Sequence, residues 1–152
     1  MKFSTRMDTD LTAADLFAAI SDFDRLETII RRRRAQVKRL APEVTGSMAW
    51  DIAFDWRGKR REFRFALSRH DPDEIIRLTG VSEAFDIVID LMVVAMSRAR
   101  ARLICRADVR PRTMKARLVL QTAKLGKTQL DQRFAREVAQ MLDQLTARRV
   151  AA

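Results

Sequence analysis

At 152 residues, with 47% hydrophobic and 33% charged side chains, the chain is long enough to bury one core, and its balance excludes a disordered or fibrous polymer. A single cysteine, Cys105, excludes an internal disulfide and fits a reducing, cytoplasmic setting; no apolar run has signal-peptide length or reaches the ~18 to 20 residues of a membrane span. The formal charge of +10 leaves nucleic acid and anionic membranes open as partners, yet it equally describes a solvated arginine-rich surface.

The first element is a half-buried strand, with Phe3, Thr5 and Met7 alternating against Lys2, Ser4 and Arg6. Thr12 with Asp15 three residues on resembles a capping box, so a helix starts at Ala13 and carries Leu16, Phe17 and Ile20. Ser21 and Asp22 interrupt it and cap a second helix from Phe23 to Arg32, which would bury Phe23, Leu26, Ile29 and Ile30. The run Arg31, Arg32, Arg33 and Arg34 follows. It reads either as a contact for phosphate or an anionic surface, or as a solvated helix end whose cations oppose the helix dipole.

A short strand at Gln36 to Leu40 precedes a loop marked by Pro42 and Gly46. Then Met48, Trp50, Ile52, Phe54 and Trp56 alternate with Asp51, Ala53 and Asp55, and Gly58-Lys59 is expected to turn the chain. The return strand presents Phe63, Phe65 and Leu67. After Asp71-Pro72-Asp73, Ile76 and Leu78 continue the apolar face to Gly80. Two longer strands come next, one with Phe85, Ile87, Ile89, Leu91 and Val93 inward, the other with Ala99, Ala101, Leu103, Cys105, Ala107 and Val109. Short connections and strict alternation imply an antiparallel meander with one covered face. Pro111 to Arg149 reads as one long helix, with Pro111 at its first position and Gly126 as its expected bend. No repeat, linker or low-complexity tract divides the chain, so residues 1–152 read as a single α+β domain.

The pattern Leu11-Thr12-Ala13-Ala14-Asp15-Leu16-Phe17 leading to Ser21-Asp22-Phe23, then the meander, then Pro111-Arg112-Thr113 opening a long final helix, resembles the START-like superfamily, also called SRPBCC or polyketide cyclase/dehydrase-like. The resemblance covers nearly the whole chain and is one of layout, since the superfamily has no universal catalytic signature. It implies a helix-grip fold: a curved antiparallel sheet of about six to seven strands wrapped around the C-terminal helix, two short helices after the first strand, and an apolar cavity between sheet and helix. Members bind lipids, quinones, hormones and polyketides; some are cyclases, some assist chaperones and some are linked to ribosomes. Fold does not choose among these.

The residues support such a cavity on their own terms. The inward sheet face offers Trp50, Ile52, Phe54, Phe63, Phe65, Leu78, Phe85, Ile87 and Leu103, with Trp56 on the same side. At 100° per residue the helix turns Ala116, Leu120, Ala123, Leu130, Phe134, Val138, Met141 and Leu145 toward it. Large rings facing small residues either interdigitate into a solid core or leave a pocket. Lys127 falls on the same stripe, where it either meets an anionic ligand group or snorkels past the sheet edge. Met114, Leu118 and Leu125 lie on the opposite side and require covering by the N-terminal helices, a second copy or a ligand, unless Gly126 rephases the helix.

Catalytic chemistry has little to stand on. His70 is the sole histidine and reads as a turn residue, and Cys105 reads as a core thiol. There is no tyrosine, no glycine-rich phosphate loop and no metal-ligand spacing, so no cofactor is expected. Asp51, Asp55, Asp86 and Asp90 are expected on the wet face, paired with arginines such as Arg64, Arg100 and Arg102. Three functions follow in order: non-catalytic binding of a hydrophobic small molecule or lipid, a basic module that docks RNA, a ribosome or an anionic membrane, and a cyclase-like enzyme.

Overall fold

Alternating apolar and polar residues build β1 (Lys2–Thr9), β2 (Gln36–Leu40), β3 (Ala49–Trp56), β4 (Lys59–Asp71), β5 (Ile75–Val81), β6 (Phe85–Ala95) and β7 (Ala101–Pro111). The computed structural model describes the backbone of residues 1–151 and the side chains of residues 1–43 and 45–147. Its seven strands form one curved antiparallel sheet in the order β1-β7-β6-β5-β4-β3-β2. Every neighbouring pair except β1–β7 is consecutive in sequence, so the first strand closes onto the last.

Between β1 and β2 lie α1 (Ala13–Ile20) and α2 (Phe23–Arg32), with the expected bounds. Thr12 Oγ accepts from Asp15 N at 3.1 Å, and Asp22 Oδ1 accepts from Arg25 N at 3.2 Å, which satisfies an orphan donor at each start. A short helix, α3 (Pro42–Thr45), sits in the loop that Pro42 and Gly46 marked, and Gly46 ends it at φ 77. After the meander come α4 (Met114–Ala123), a 3₁₀ turn at Lys124–Gly126, and α5 (Lys127–Ala151). The continuity of the final helix therefore breaks where Gly126 was expected to bend it.

Two local expectations are corrected, and one irregularity is new. Pro111 is not a first helical residue; it ends β7 opposite Phe85, where a missing N–H is tolerated. The helix instead begins after Thr113, whose hydroxyl accepts from Ala116 N at 3.0 Å. The first hairpin turns on Arg57-Gly58, at φ 52 and 70, rather than on Gly58-Lys59, because a two-residue turn with both φ positive matches strand twist. In β4 the register against β5 slips between Leu67 and Arg69, so one extra residue bulges there and bends the strand.

The interior has two centres. One packs Leu16, Phe17 and Ile20 of α1 against Ile76, Val93, Ala101 and Leu103 of the sheet and Leu142 of α5. The other gathers Trp50, Phe63, Phe65 and Phe85 against Ala116 and Leu120 of α4. Gly80 is a structural requirement of the second centre. A Cβ built there would overlap the Phe65 ring, lying 2.7 Å from Cδ1 and 2.8 Å from Cζ. Gly80→Ala is therefore expected to lower the free energy of unfolding by ~1–3 kcal/mol in urea titrations. In a Phe65→Ala background, where the ring is gone, the same change should cost far less; equal costs in both backgrounds would contradict the packing argument.

Candidate functional site

Strand parity places Phe54 and Trp56 of β3 beside Arg61 and Phe63 of β4, with Phe54 opposite Arg61 and Ile52 opposite Phe63 in the ladder. Across the curve of the sheet stand Phe85, Ile87 and Ile89 of β6 and Ala107 and Val109 of β7. Leu120 and Ala123 of α4 and Leu130 and Phe134 of α5 face them, and Met1 and Phe3 close the β1 edge. These groups surround a half-open cavity of about 380 Å³, within the size range of small-molecule sites.

The space exists because the helix brings small side chains to large rings. Ala123 is fully buried and Ala116 nearly so, and neither reaches far enough to fill the volume between rings. The rings meanwhile brace one another. Phe54 and Phe63 stack at 5.7 Å with their planes 2° apart, Trp56 meets Phe85 edge-on at 6.5 Å, and Phe3 touches Phe134 at 5.4 Å.

Arg61 is the one charged side chain in this wall. Its guanidinium carbon lies 5.3 Å from the Trp56 ring centroid and 5.6 Å from that of Phe85, so two aromatic faces hold it. Three buried side-chain nitrogens lack a hydrogen-bond partner among the described residues: Arg33 Nε, Trp50 Nε1 and Arg61 Nε. Arg33 has an ion-pair partner in Glu137, and Trp50 carries no charge. Leaving such a donor unpaired costs about 1–3 kcal/mol.

The outer face of the sheet is chemically spent on itself. Asp51 pairs with Arg64 at 2.9 Å, Asp90 with Arg77 at 2.7 Å and Asp8 with Arg102 at 2.6 Å, each directly across a strand ladder. Asp86 takes Arg112 at 3.8 Å, from beyond the sheet, and Arg100 takes Asp10 at 3.4 Å. Hydrogen bonds from Arg64 and from Arg102 hold the Asp51 and Asp8 carboxyls below the usual carboxylate range. A groove of about 410 Å³ on this face runs along Gln36, Lys38, Asp51, Arg60, Glu62 and Arg64. Most of its charges are paired within it: Arg60 binds Glu62 at 3.0 Å and Gln36 at 2.7 Å, and Arg64 binds Asp51.

No family model matches the sequence, and no curated protein matches it. Solved structures do. A protein of Thermus thermophilus superposes at TM-score 0.69 with 10% identity over 97% of this chain and 98% of that one. The Zhui aromatase/cyclase of a Streptomyces species gives 0.62 with 13% identity over 97% and 94%. A START superfamily protein of Mycobacterium smegmatis gives 0.53 with 15% identity over 87% and 95%. The chain has the START-like (SRPBCC) fold.

Of the residues proposed for the wall, Phe54, Phe63, Phe85, Ile87, Leu120 and Ala123 border this cavity. The other proposed wall residues do not. Trp50 turns to Phe23, at 5.4 Å between rings, and Phe65 packs over Gly80. Leu103 belongs to the solid centre around α1, Leu78 is wedged between the two centres, and Ile52 borders the outer groove. Lys127 snorkels: its Nζ pairs with Asp131 and lies 4.5 Å from the Phe3 centroid, at the sheet edge. Ile89, Val109, Leu130 and Phe134, expected to face inward though not named for the wall, also line the cavity, as does Arg61, which the sequence did not single out. Arg61 was findable, since it shares the parity of Phe63 and Phe65.

Two of the four arginines in the run are tied into the fold. Arg31 pairs with the buried Glu27 at 3.5 Å and donates to Val37 O at 3.1 Å, while Arg33 pairs with Glu137 and reaches Gln140 at 3.2 Å. Arg32 and Arg34 are exposed, and Arg34 ends the segment at φ 64. His70 is exposed, 3.4 Å from Ser21 Oγ and packed on Phe17, away from the wall. Burial pushes the Cys105 thiol up to about 12, with Asp90 adding to the effect, so it stays a neutral core group. Among the described residues no three His, Cys, Asp or Glu side chains gather as a metal site, and no helix is long and apolar enough to cross a membrane.

Proposed function

We propose that the chain is a non-catalytic, single-domain cytoplasmic binding protein for an apolar or amphipathic small molecule, held between the sheet and α4. One observation carries this reading: an apolar cavity of about 380 Å³ whose helical side is built from Leu120 and the small residue Ala123 of α4 and from Leu130 and Phe134 of α5. The fold neighbours agree in kind, since one is an aromatase/cyclase and another, a norcoclaurine synthase, holds dopamine and hydroxybenzaldehyde. A cyclase-like enzyme is disfavoured because the wall presents no carboxylate, histidine or cysteine to act as acid or base.

Replacing Ala123 with Trp should fill the cavity from the helix side. Binding of the neutral probe N-phenyl-1-naphthylamine, followed by fluorescence, is expected to weaken at least tenfold while far-UV circular dichroism is retained. Unchanged uptake would contradict a binding site at that depth.

A second reading has an observation of its own. From Val109 to Leu130 the chain contains Arg110, Arg112, Lys115, Arg117, Lys124 and Lys127 and no acidic residue. Met114, Leu118 and Leu125 project from the same segment, 68%, 56% and 90% exposed. An apolar stripe flanked by cations suits docking of α4 on an anionic membrane beside the cavity. Vesicles with about a third phosphatidylglycerol should then float the protein, vesicles of phosphatidylcholine alone should not, and Leu118→Glu with Leu125→Glu should abolish flotation. Retention on RNA that survives ~0.3 M salt with no flotation would assign the charge to nucleic acid instead.

A further inference from the structure

Arg61 is the residue that an empty, purely apolar cavity does not explain. Three features set it apart from the other arginines of β4. Its side chain joins the cavity wall, whereas Arg60 and Arg64 lie on the outer face with Glu62 and Asp51 as partners. It makes no hydrogen bond or ion pair with any described residue, and its Nε is covered. Its half-exposed guanidinium also lies against Trp56 and Phe85, 5.3 and 5.6 Å from their ring centroids.

The surrounding acids are turned away or taken. Asp55 and Glu62 flank the site in sequence but have the opposite strand parity, and Glu62 is bonded to Arg60. Asp86, next to Phe85, meets Arg112. Nor is Arg61 needed to cover Trp56, because Arg57 already lies 5.1 Å from that ring. A positive charge in a wall of rings, left without a counter-charge among the described residues, is arranged for an anion that arrives with the ligand.

We infer that the cavity takes a monocarboxylate with an apolar body, such as a medium-chain fatty acid, and that Arg61 binds its carboxylate. This rests on the small-molecule binding reading above and specifies the ligand class. A carboxylate matches the site better than a phosphate monoester. One uncompensated cation balances one negative charge, and a phosphate brings nearly two into a low-dielectric wall. The apolar chain then runs between the rings and Leu120 and Ala123.

The test compares decanoate with 1-decanol, an uncharged molecule of similar length, by titration calorimetry at neutral pH on the full chain. Wild-type protein should bind both. Arg61→Gln should weaken decanoate by 10- to 100-fold and leave decanol within twofold. Arg61→Lys, which keeps the charge without the fork, should fall between. Retained decanol affinity also certifies that the variants are folded. Equal losses for both ligands would mean that Arg61 only supports the wall, and unchanged decanoate binding would mean that the anion sits elsewhere; either result overturns the inference. If wild-type protein binds N-phenyl-1-naphthylamine and decanol but not decanoate, the anion inference fails while the binding reading survives. If it binds none of the three, the binding reading itself fails.

Discussion

The structure depends on a mismatch of side-chain size between two surfaces that are forced together. β3, β4 and β6 send large apolar side chains inward at alternate residues, among them the rings of Trp50, Phe54, Phe63, Phe65 and Phe85, and α4 answers with Ala116, Leu120 and Ala123. The apolar surface on both sides drives the contact, at roughly 25 cal/mol per Å² buried. Alanines cannot complete the packing, and the rings are held off by their own stacking, so a volume remains that neither side can occupy. Void space in a core ordinarily costs stability, at about 24 cal/mol per Å³ in measured cavities. A chain that keeps such a space has to be anchored elsewhere.

That anchoring lies at the other end of the sheet and on its back. Leu16, Ile20 and Ile76 are almost completely buried around α1, and Leu142 and Leu145 bring the bulky half of the final helix into the same region. Glu27, unexpectedly buried on α2, binds Arg31 and Arg39 and so ties that helix to β2. Arg33 reaches Glu137 of α5 and closes the grip from the side. On the outer face, directly opposed pairs such as Asp51–Arg64 and Arg77–Asp90 fix strand register. The 3₁₀ turn at Lys124–Gly126 separates α4 from α5, which adds Leu130 and Phe134 to the cavity and Leu142 to the other packing centre.

Much of this was legible in the sequence, for identifiable reasons. Period-two alternation from Met48 to Val109 gave the meander, and Thr12 and Asp22 set both N-terminal helix starts, because these signals are local. What escaped was set by three-dimensional neighbours. The bulge after Leu67, the close approach of Phe65 to Gly80 and the burial of Glu27 depend on contacts between elements. Pro111 misled because proline suits a strand end as well as a helix start. Parity puts Phe54, Phe63 and Phe85 on the face that borders the cavity, but sheet curvature, which parity does not encode, sends Trp50 and Leu103 to other contacts. Arg61 was overlooked because a charge in a strand is read as solvent-facing, although its register beside Phe63 points inward.

The central claim is that the space between the sheet and α4 is a binding site. Native mass spectrometry of the protein purified without detergent tests it most directly. The account predicts a population carrying one small hydrophobic molecule per chain, released on raising the collision energy and absent from Ala123→Trp. Bare protein at every energy, together with failure to take up any added apolar compound, would contradict it.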